Sequence, residues 1–501
     1  MAQRLRVLLV ASEASPFANT GGLGDVAGAL PRALRALGHD VRILMPRYRG
    51  VERHAAAIRT VIPRLEVPVG DRVVESALLG TETSGGVPVY FLQQDHYFDR
   101  DGLYGTGDDD YPDNCERFVF FCRGAVEALI ALDEAGRDAW RPQIVHANDW
   151  QTGLLPVYLR TLYRDHPALA AIATVFTIHN LAFQGAFWHH DMPLTGLGWD
   201  VFTPAGIEFY GKLNFLKGGL VFSDLLTTVS RTYAAEIRTP EFGNGLDGVL
   251  EERAADLYGV VNGIDYEQWN PAKDPALARP YSAGEPEGKA VCRLALRREL
   301  GLDEGPGPLV AMVTRLAWQK GLDLALGSLP GMLDAGCRVA LLGSGEAPIE
   351  EAWTQAAADH PGLVAVRIGY DPELASRMYA GGDCLLMPSR YEPCGLAQLI
   401  ALRYGAVPVV RRTGGLADTV TEFDAVRRTG TGFLFDALSA DELLGAVRRA
   451  AAVWERPELW GALVKNAMTE DFSWDASARE YATLYRKILR PQAARPSRRS
   501  R

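Results

Sequence analysis

Residues 385–420 read LLMPSRYEPCGLAQLIALRYGAVPVVRRTGGLADTV, and no other stretch constrains the fold as much. The short apolar run at 385–387 reads as a strand, which Pro388 and Ser389 end. Glu392 stands just past the strand end, and Gly395 opens an apolar-periodic helix over about 396–404. A second β-rich run at 407–410 leads into Thr413-Gly414-Gly415 and another short helix. Strand, polar loop, helix, strand is the repeating grammar of a parallel sheet. In open sheets of that kind, ligands bind beyond the carboxyl ends of the strands. Both polar loops fall there. The first offers a carboxylate, and the glycines of the second let backbone N–H groups approach an anion. A carboxylate beside an anion cradle suits a ligand with a polar body and a phosphate, such as a nucleotide sugar.

The same grammar runs through the chain. Residues 6–11 read as a strand, 12–22 as a loop, 23–37 as a helix ended by Gly38-His39, and 41–45 as the next strand. That is a βαβ unit opening a doubly wound fold. The loop is too long for the G-x-G-x-x-G fingerprint, so no dinucleotide cofactor follows from it. Strands at 144–145 and 174–178 run into His146-Ala147-Asn148-Asp149-Trp150 and His179-Asn180. Residues 60–95 alternate more and read as a β-rich excursion, and 260–265 as another strand-to-turn. A polar, Pro-rich connection spans 270–288. Strands at 309–313, 338–342, 363–368 and 432–435 then build a second parallel sheet. The expected architecture is α/β, with Rossmann-like domains at 1–258 and 259–473. A last amphipathic helix at 474–489 is expected to cross back to the first domain. Residues 490–501 read as a disordered basic tail.

A chain of 501 residues needs more than one core. Its net charge of −10 argues against nucleic acid as a partner. Six cysteines without C-x-x-C spacing read as reduced thiols. No apolar run reaches the ~20 residues of a membrane span. The apolar N-terminal run enters a Gly-rich turn rather than a cleavage site, so a cytoplasmic protein is expected. Asp108 and Asp110 form a D-x-D pattern of the kind that holds a divalent cation. No strand leads into it, and a solvated acidic loop is the better reading. His189-His190 has no third ligand and reads as surface.

Beyond these local readings, the segments SEASPFANTGGLGDV, HANDW, FTIHNLAFQG, NFLKGG, VVNGID, TRLAWQKG, RYEPCGLAQL and RRTGGLADTV follow one another in order from about residue 7 to 489. In sequence and spacing they resemble the motifs of bacterial glycogen synthases and plant starch synthases. The resemblance implies a GT-B architecture, two Rossmann-like domains with a deep interdomain cleft. It also implies a retaining glucosyltransferase that extends an α-1,4-glucan from ADP-glucose without a metal or other cofactor. Two other readings stay open: the same chemistry from UDP-glucose, and a non-catalytic glucan- or nucleotide-binding descendant.

The resemblance also implies roles for single residues. Arg315 and Lys320, five apart after a strand, would converge on the donor diphosphate, one as a fork and one as a point charge. Glu392 would accept bonds from glucose hydroxyls and balance charge at the sugar ring. His179 would bond a glucose hydroxyl or accept charge near the anomeric carbon. Asp149 falls on the acceptor side, and Asn180 and Asn262 on the sugar side. Tyr370 would stack on adenine. Gly21, Gly22, Gly395, Leu396, Thr413, Gly414 and Gly415 would line the donor site. Cys394 reads as a packed small residue within that motif. The family's Gly-rich loop carries Lys where this chain has Asn19, whose amide would hydrogen-bond a donor phosphate without adding charge. Losing a charge-assisted bond there would weaken donor binding by ~1–3 kcal/mol.

Overall fold

The computed structural model describes residues 4–55, 57–107, 109–136 and 139–489. The chain divides into two compact units. One holds residues up to Val229, Ala234–Val260 and the chain from Trp474 onward; the other holds Ser230–Tyr233 and Val261–Ser473.

The first unit is built on a nine-stranded sheet. Its strands are β1 (Arg6–Val10), β2 (Asp40–Pro46), β3 (Arg59–Val69), β4 (Arg72–Glu82), β5 (Pro88–Gln93), β6 (Ile144–Asn148) and β7 (Ala173–Ile178). A separate small antiparallel sheet comprises β8 (Ala186–Trp188), β9 (Glu208–Phe209) and β10 (Lys212–Asn214). The large sheet is completed by β11 (Leu225–Thr228) and β12 (Leu257–Gly259), in the order β12-β11-β7-β6-β1-β2-β5-β4-β3. All pairings are parallel except those of β4 with β5 and with β3, so β4 alone runs against the others. The central strands RVLLV, IVHAN and ATVFTI are almost wholly buried. Parallel strands covered on both faces need such continuous apolar runs. β3 and β4 alternate between exposed and buried because only one face is covered. Helices α1 (Gly22–Ala36) and α2 (Asn114–Glu134) belong to this unit.

The second unit has an all-parallel six-stranded sheet. Its strands are β13 (Leu309–Val313), β14 (Arg338–Gly343), β15 (Val364–Ile368), β16 (Cys384–Met387), β17 (Val407–Arg411) and β18 (Phe433–Phe435). Their order is β15-β14-β13-β16-β17-β18. Helices α3 (Ala397–Tyr404) and α4 (Gly414–Thr419) follow β16 and β17. In each sheet the strand order reverses beside its first strand, between β1 and β6 in one and between β13 and β16 in the other. A doubly wound sheet opens its ligand crevice at such a switch point. It is the loops after these four strands that carry most of the residues singled out above.

The last helix, α5 (Trp474–Leu489), packs on α1 and so belongs to the first unit. It buries Trp474, Ser477, Ala478, Tyr481, Ala482 and Tyr485, the spacing of one helical face.

Two local expectations change. Residues 260–265 contain no strand; β12 has already ended at Gly259, and the backbone beyond is irregular. The acidic loop carries a small hairpin of Gly105–Thr106 against Asp109–Asp110. Asp108 lies outside the described residues, as does the tail 490–501. Among the described residues no helix is long and apolar enough to cross a membrane.

Candidate active site

In the first unit the loop after β1 is held by a residue that sequence reasoning passed over. Glu13 is 3% exposed, and its carboxylate accepts the Thr20 N–H (2.5 Å), the Thr20 hydroxyl (2.8 Å) and the Tyr104 hydroxyl (2.6 Å). This clasp presents Gly21 and Gly22, where an added Cβ would meet no atom within 4 Å. Asn19 differs from expectation. Its Nδ2 donates to Asp25 Oδ1 (2.6 Å), and its Oδ1 accepts the Gly21 N–H (3.0 Å). An asparagine side chain readily bonds backbone two residues on. Both ends of the amide are therefore engaged within the loop rather than directed at a ligand.

The loops after β6 and β7 meet. Asp149 sits at φ 55°, a left-handed conformation unusual for a residue other than glycine. It is buried, and its carboxylate accepts the His179 N–H (2.7 Å) and the Asn180 N–H. Burial pushes its pKa up to about 7, although the two N–H bonds pull the other way. His179 Nε2 lies 3.0 Å from Asn148 Oδ1. The Asn148 amide nitrogen donates to the Val10 and His146 carbonyls, so its oxygen is the acceptor and His179 Nε2 carries the proton. Burial pushes the His179 pKa down to about 3, so the ring is neutral. Its Nδ1 is thus a lone-pair acceptor. Asn180 turns its Oδ1 to the Ala182 N–H (3.1 Å).

His146, the other histidine at a strand end, has a different task. Its two ring nitrogens meet the Tyr485 hydroxyl (2.8 Å) and the Thr177 hydroxyl (2.5 Å), and Thr177 reaches Thr227 (2.5 Å). This buried chain links α5 to three strands of the sheet. Burial drives its pKa to about 3.

In the second unit Lys320 Nζ lies 2.6 Å from Glu392 Oε2, and the Ser389 hydroxyl donates to the same oxygen at 2.9 Å. Glu392 is 5% exposed. The Arg315 side chain is exposed and has no hydrogen-bond or ion-pair partner among the described residues. It lies near Tyr391, whose phenol is raised by burial and lowered by the Arg315 charge. Past Glu392, the N–H groups of Gly395, Leu396 and Ala397 at the start of α3 donate to nothing among the described residues. Open first-turn N–H groups with a neighbouring cation are a ready anion site.

The glycine pair that opens α4 is used for packing. A Cβ on Gly414 would stand 1.9 Å from the Glu392 carbonyl oxygen, and one on Gly415 would stand 2.0 Å from that of Cys394. The Gly415 N–H already donates to the Glu392 carbonyl (3.0 Å), so it is not the phosphate donor expected from sequence. Thr413 is fully buried. Cys394 is buried with its thiol pushed up to about 12, and it accepts the Asn262 N–H. The Asn262 side-chain oxygen is buried with no partner among the described residues. An orphaned buried acceptor is costly unless a ligand hydroxyl satisfies it. Tyr370 stands apart, 91% exposed beyond β15.

Sequence reasoning also missed Ser389 and Arg390. Both lie inside a motif already singled out, at the strand end, and that position was the available signal. Tyr104 has no such signal, because it reaches Glu13 only through the fold. Among the described residues no group of three or more His, Cys, Asp or Glu could hold a metal ion.

A carboxylate, cationic side chains and a neutral imidazole at the carboxyl ends of parallel strands in two Rossmann-like units equip a glycosyltransferase of the GT-B class. Comparison with known proteins narrows that class. The starch synthase catalytic domain profile matches residues 6–252, and the profile of glycosyl transferases group 1 matches 294–466. A glycogen synthase of Syntrophotalea carbinolica is 51% identical over 97% of this chain and 99% of its own. One from Anaeromyxobacter sp. strain Fw109-5 is 50% identical over 97% and 100%. The catalytic domain of starch synthase IV from Arabidopsis thaliana, bound to ADP and acarbose, superposes with a TM-score of 0.88 at 34% identity, covering 97% of this chain and all of that one. The chain belongs to the bacterial glycogen synthase and plant starch synthase family, and it is a glucosyltransferase.

Proposed function

We propose that the protein transfers glucose from ADP-glucose to the non-reducing end of an α-1,4-glucan, with retention of configuration and without a metal, as a cytoplasmic glycogen synthase. The observation that carries this reading is the trio of Lys320 on Glu392, unpaired Arg315 and the open N–H groups of Gly395 and Leu396. Together they suit a diphosphate whose charge grows as the sugar leaves. The ADP and acarbose bound to the Arabidopsis enzyme support an adenine nucleotide and a glucan as the ligands. Tyr370 is the ring available to adenine, and Asn262 Oδ1 and His179 Nδ1 are acceptors available to sugar hydroxyls.

In this reading the acceptor O4 attacks the anomeric carbon as the bond from that carbon to the phosphate oxygen breaks. The O4 proton passes to the departing phosphate oxygen, and ADP leaves from the face that the acceptor enters. Asp149 spends its carboxylate on two backbone N–H groups and is not poised as a nucleophile. Glu392, tied to Lys320 and Ser389, balances positive charge at the sugar ring. Excluding water protects the donor from hydrolysis.

The test is transfer of labelled glucose to glycogen from ADP-glucose and from UDP-glucose, side by side, with a chelator present. Strong transfer from ADP-glucose alone is expected. Transfer from UDP-glucose alone overturns the donor, and dependence on a divalent cation overturns the metal-free mechanism. Glu392→Gln is expected to lower kcat by about 100-fold or more. Asn19→Lys is expected to lower the donor KM, provided that the new side chain leaves the loop that now holds the amide.

A further inference from the structure

Lys289 is buried in the second unit, and its ammonium stands in a cage of peptide carbonyls. Nζ donates to the carbonyls of Ala380, Gly382 and Tyr404 (3.0 Å each) and, at 3.4 Å, to that of Tyr379. Three protons serve four acceptors. Among the described residues no carboxylate pairs with it. Asp383, whose charge acts on it, is itself engaged by Arg293 (2.9 Å) and the Leu309 N–H (2.7 Å). Rings of carbonyl oxygens that replace a hydration shell are how selectivity filters hold a potassium ion. Here the cation is tethered to the chain. A buried charge is costly unless it is compensated. Tyr379, Ala380 and Gly382 lie at the end of the helix Pro372–Gly381, and Tyr404 ends α3. Each helix C-terminus carries about half a negative charge, so two of them match one ammonium. Lys289 comes from a third helix, Glu287–Leu300, which packs closely on Pro372–Gly381: a Cβ on Gly381 would fall 2.8 Å from Leu296. The Tyr281 hydroxyl also donates to the Tyr404 carbonyl (2.7 Å), and its ring centre lies 5.8 Å from Nζ. Burial lowers the Lys289 pKa to about 8, which leaves the ammonium charged at pH 7.

The opposite ends of the same two helices lie at the proposed donor site. Asp371 caps Pro372–Gly381, its side chain accepting the Leu374 N–H (2.8 Å), and Tyr370 immediately precedes it. α3 starts beside Gly395 and Leu396. Gln398, in its first turn, is fully buried and donates to the Cys394 and Gly395 carbonyls (2.9 Å each), which makes the anion cradle and α3 one piece. At 1.5 Å per residue the two helices are about 15 and 12 Å long. One begins at the ring available to adenine and the other at the N–H groups available to phosphate, and both finish on one nitrogen. We propose that Lys289 is a positioning residue for the donor: by locking the far ends of these two helices together, it fixes the spacing between the adenine ring and the phosphate cradle. The assignment rests on the donor reading above. Its effect belongs to nucleotide binding, and so to KM rather than kcat.

The test uses the full chain with Lys289→Met, which keeps the apolar stem and removes the charge, and Lys289→Ala, which leaves room for a small cation. Calorimetric titration with ADP is paired with thermal melts and with ADP-glucose kinetics at pH 7. Lys289→Met is expected to weaken ADP binding and raise the ADP-glucose KM by about tenfold, with kcat within about threefold of the parent. Methylammonium is expected to restore ADP affinity to Lys289→Ala, whereas tetramethylammonium at the same ionic strength, too large for the cage, does not. Coupling is reciprocal, so in the parent ADP is expected to slow amide exchange at residues 380–382 and 404–406 as well as at 395–397. A folded Lys289→Met with the parent's ADP affinity, in a parent that transfers glucose, shows a lysine that serves stability alone and overturns the proposal. A loss confined to kcat, or equal effects of the two amines, also overturns it. Where neither variant folds, exchange in the parent decides, and no slowing at the far ends overturns the proposal. A parent that binds no ADP overturns the donor reading and the proposal with it.

Discussion

Glycine at one position in this chain is a matter of packing and at another a matter of access. Gly21 is extended, and an added methyl meets nothing. Gly415 would drive that methyl to 2.0 Å from a backbone oxygen that cannot yield. Gly415→Ala is therefore expected to destabilise the second unit by about 2–3 kcal/mol. Gly21→Ala is expected to leave the melting temperature unchanged and to raise the donor KM, because the methyl occupies open space in a loop proposed to line the donor site. Melts and donor kinetics on the two variants separate the roles; equal melting temperatures would contradict the packing assignment. The titrating residues of the first unit make a second pair of opposed effects. His146 and His179 fall from 6.5 to about 3 on folding, so the unfolded chain takes up protons first and acid destabilises the fold. Asp149 rises from 3.8 to about 7, so the folded chain holds a proton that the unfolded one has lost, and acid favours the fold. Each contributes at most ~1.4 kcal/mol per pH unit between about pH 4 and 6.5, and the two histidines outweigh the aspartate. Asp149→Asn is expected to steepen the loss of stability on acidification across that window. Denaturant melts at pH 6.5, 5.5 and 4.5 measure the slope, and a shallower slope in the variant would refute the assignment.

At the scale of elements, the catalytic loops of the second unit are set by one another more than by their strands. Arg390 joins them. Its N–H donates to the Gln319 carbonyl (2.8 Å), and its guanidinium reaches the Trp318 carbonyl (2.8 Å) and both Asp323 oxygens (2.8 and 2.7 Å). The guanidinium also lies 4.5 Å from the centre of the Trp318 ring, and the Arg390 carbonyl accepts from Arg411 at the end of β17. The hydrogen bonds from Arg390 hold the Asp323 carboxyl below its usual range. Lys320 and Glu392 thus meet because the segment between them and the helix after them are clasped. A lysine cannot make this fork. Arg390→Lys is expected to lower kcat by about 10–100-fold, since a small misplacement of catalytic groups is costly, with a melting temperature near that of the parent. A variant with the parent's kcat would show that the clasp does not set the geometry.

For the molecule as a whole, chain order and structural unit do not coincide. α5 ends the described chain after the second unit, yet it completes the first. It buries Trp474, Tyr481 and Tyr485 there and supplies the hydroxyl that satisfies His146. Three large side chains at ~1.5–3 kcal/mol each amount to about 5 kcal/mol or more. Ending the chain at Ser473 is therefore expected to destabilise the first unit and spare the second, although the deletion is contiguous with the second. Hydrogen exchange resolved by segment checks this. Protection lost equally in both units would contradict it.

The strand-and-loop grammar was legible because local forces write it. Strands buried on both faces demand apolar runs, and sharp exits demand Pro, Gly or Ser. The start of β16, the start of β17 and both bounds of α5 fall within one residue of the sequence reading. The strand-end rule also located Glu392, His179, Asp149 and Arg315 from one-dimensional order, and the order of motifs implied the family. Tertiary structure decided what each of those side chains is free to do. It folded Asn19 onto Asp25, spent the Gly415 N–H on Glu392, kept Nε2 as the protonated nitrogen of His179 and gave His146 to α5. Such outcomes depend on which partner stands within about 3 Å, which for His146 is Tyr485, hundreds of residues away in sequence. Periodicity carries no record of that distance.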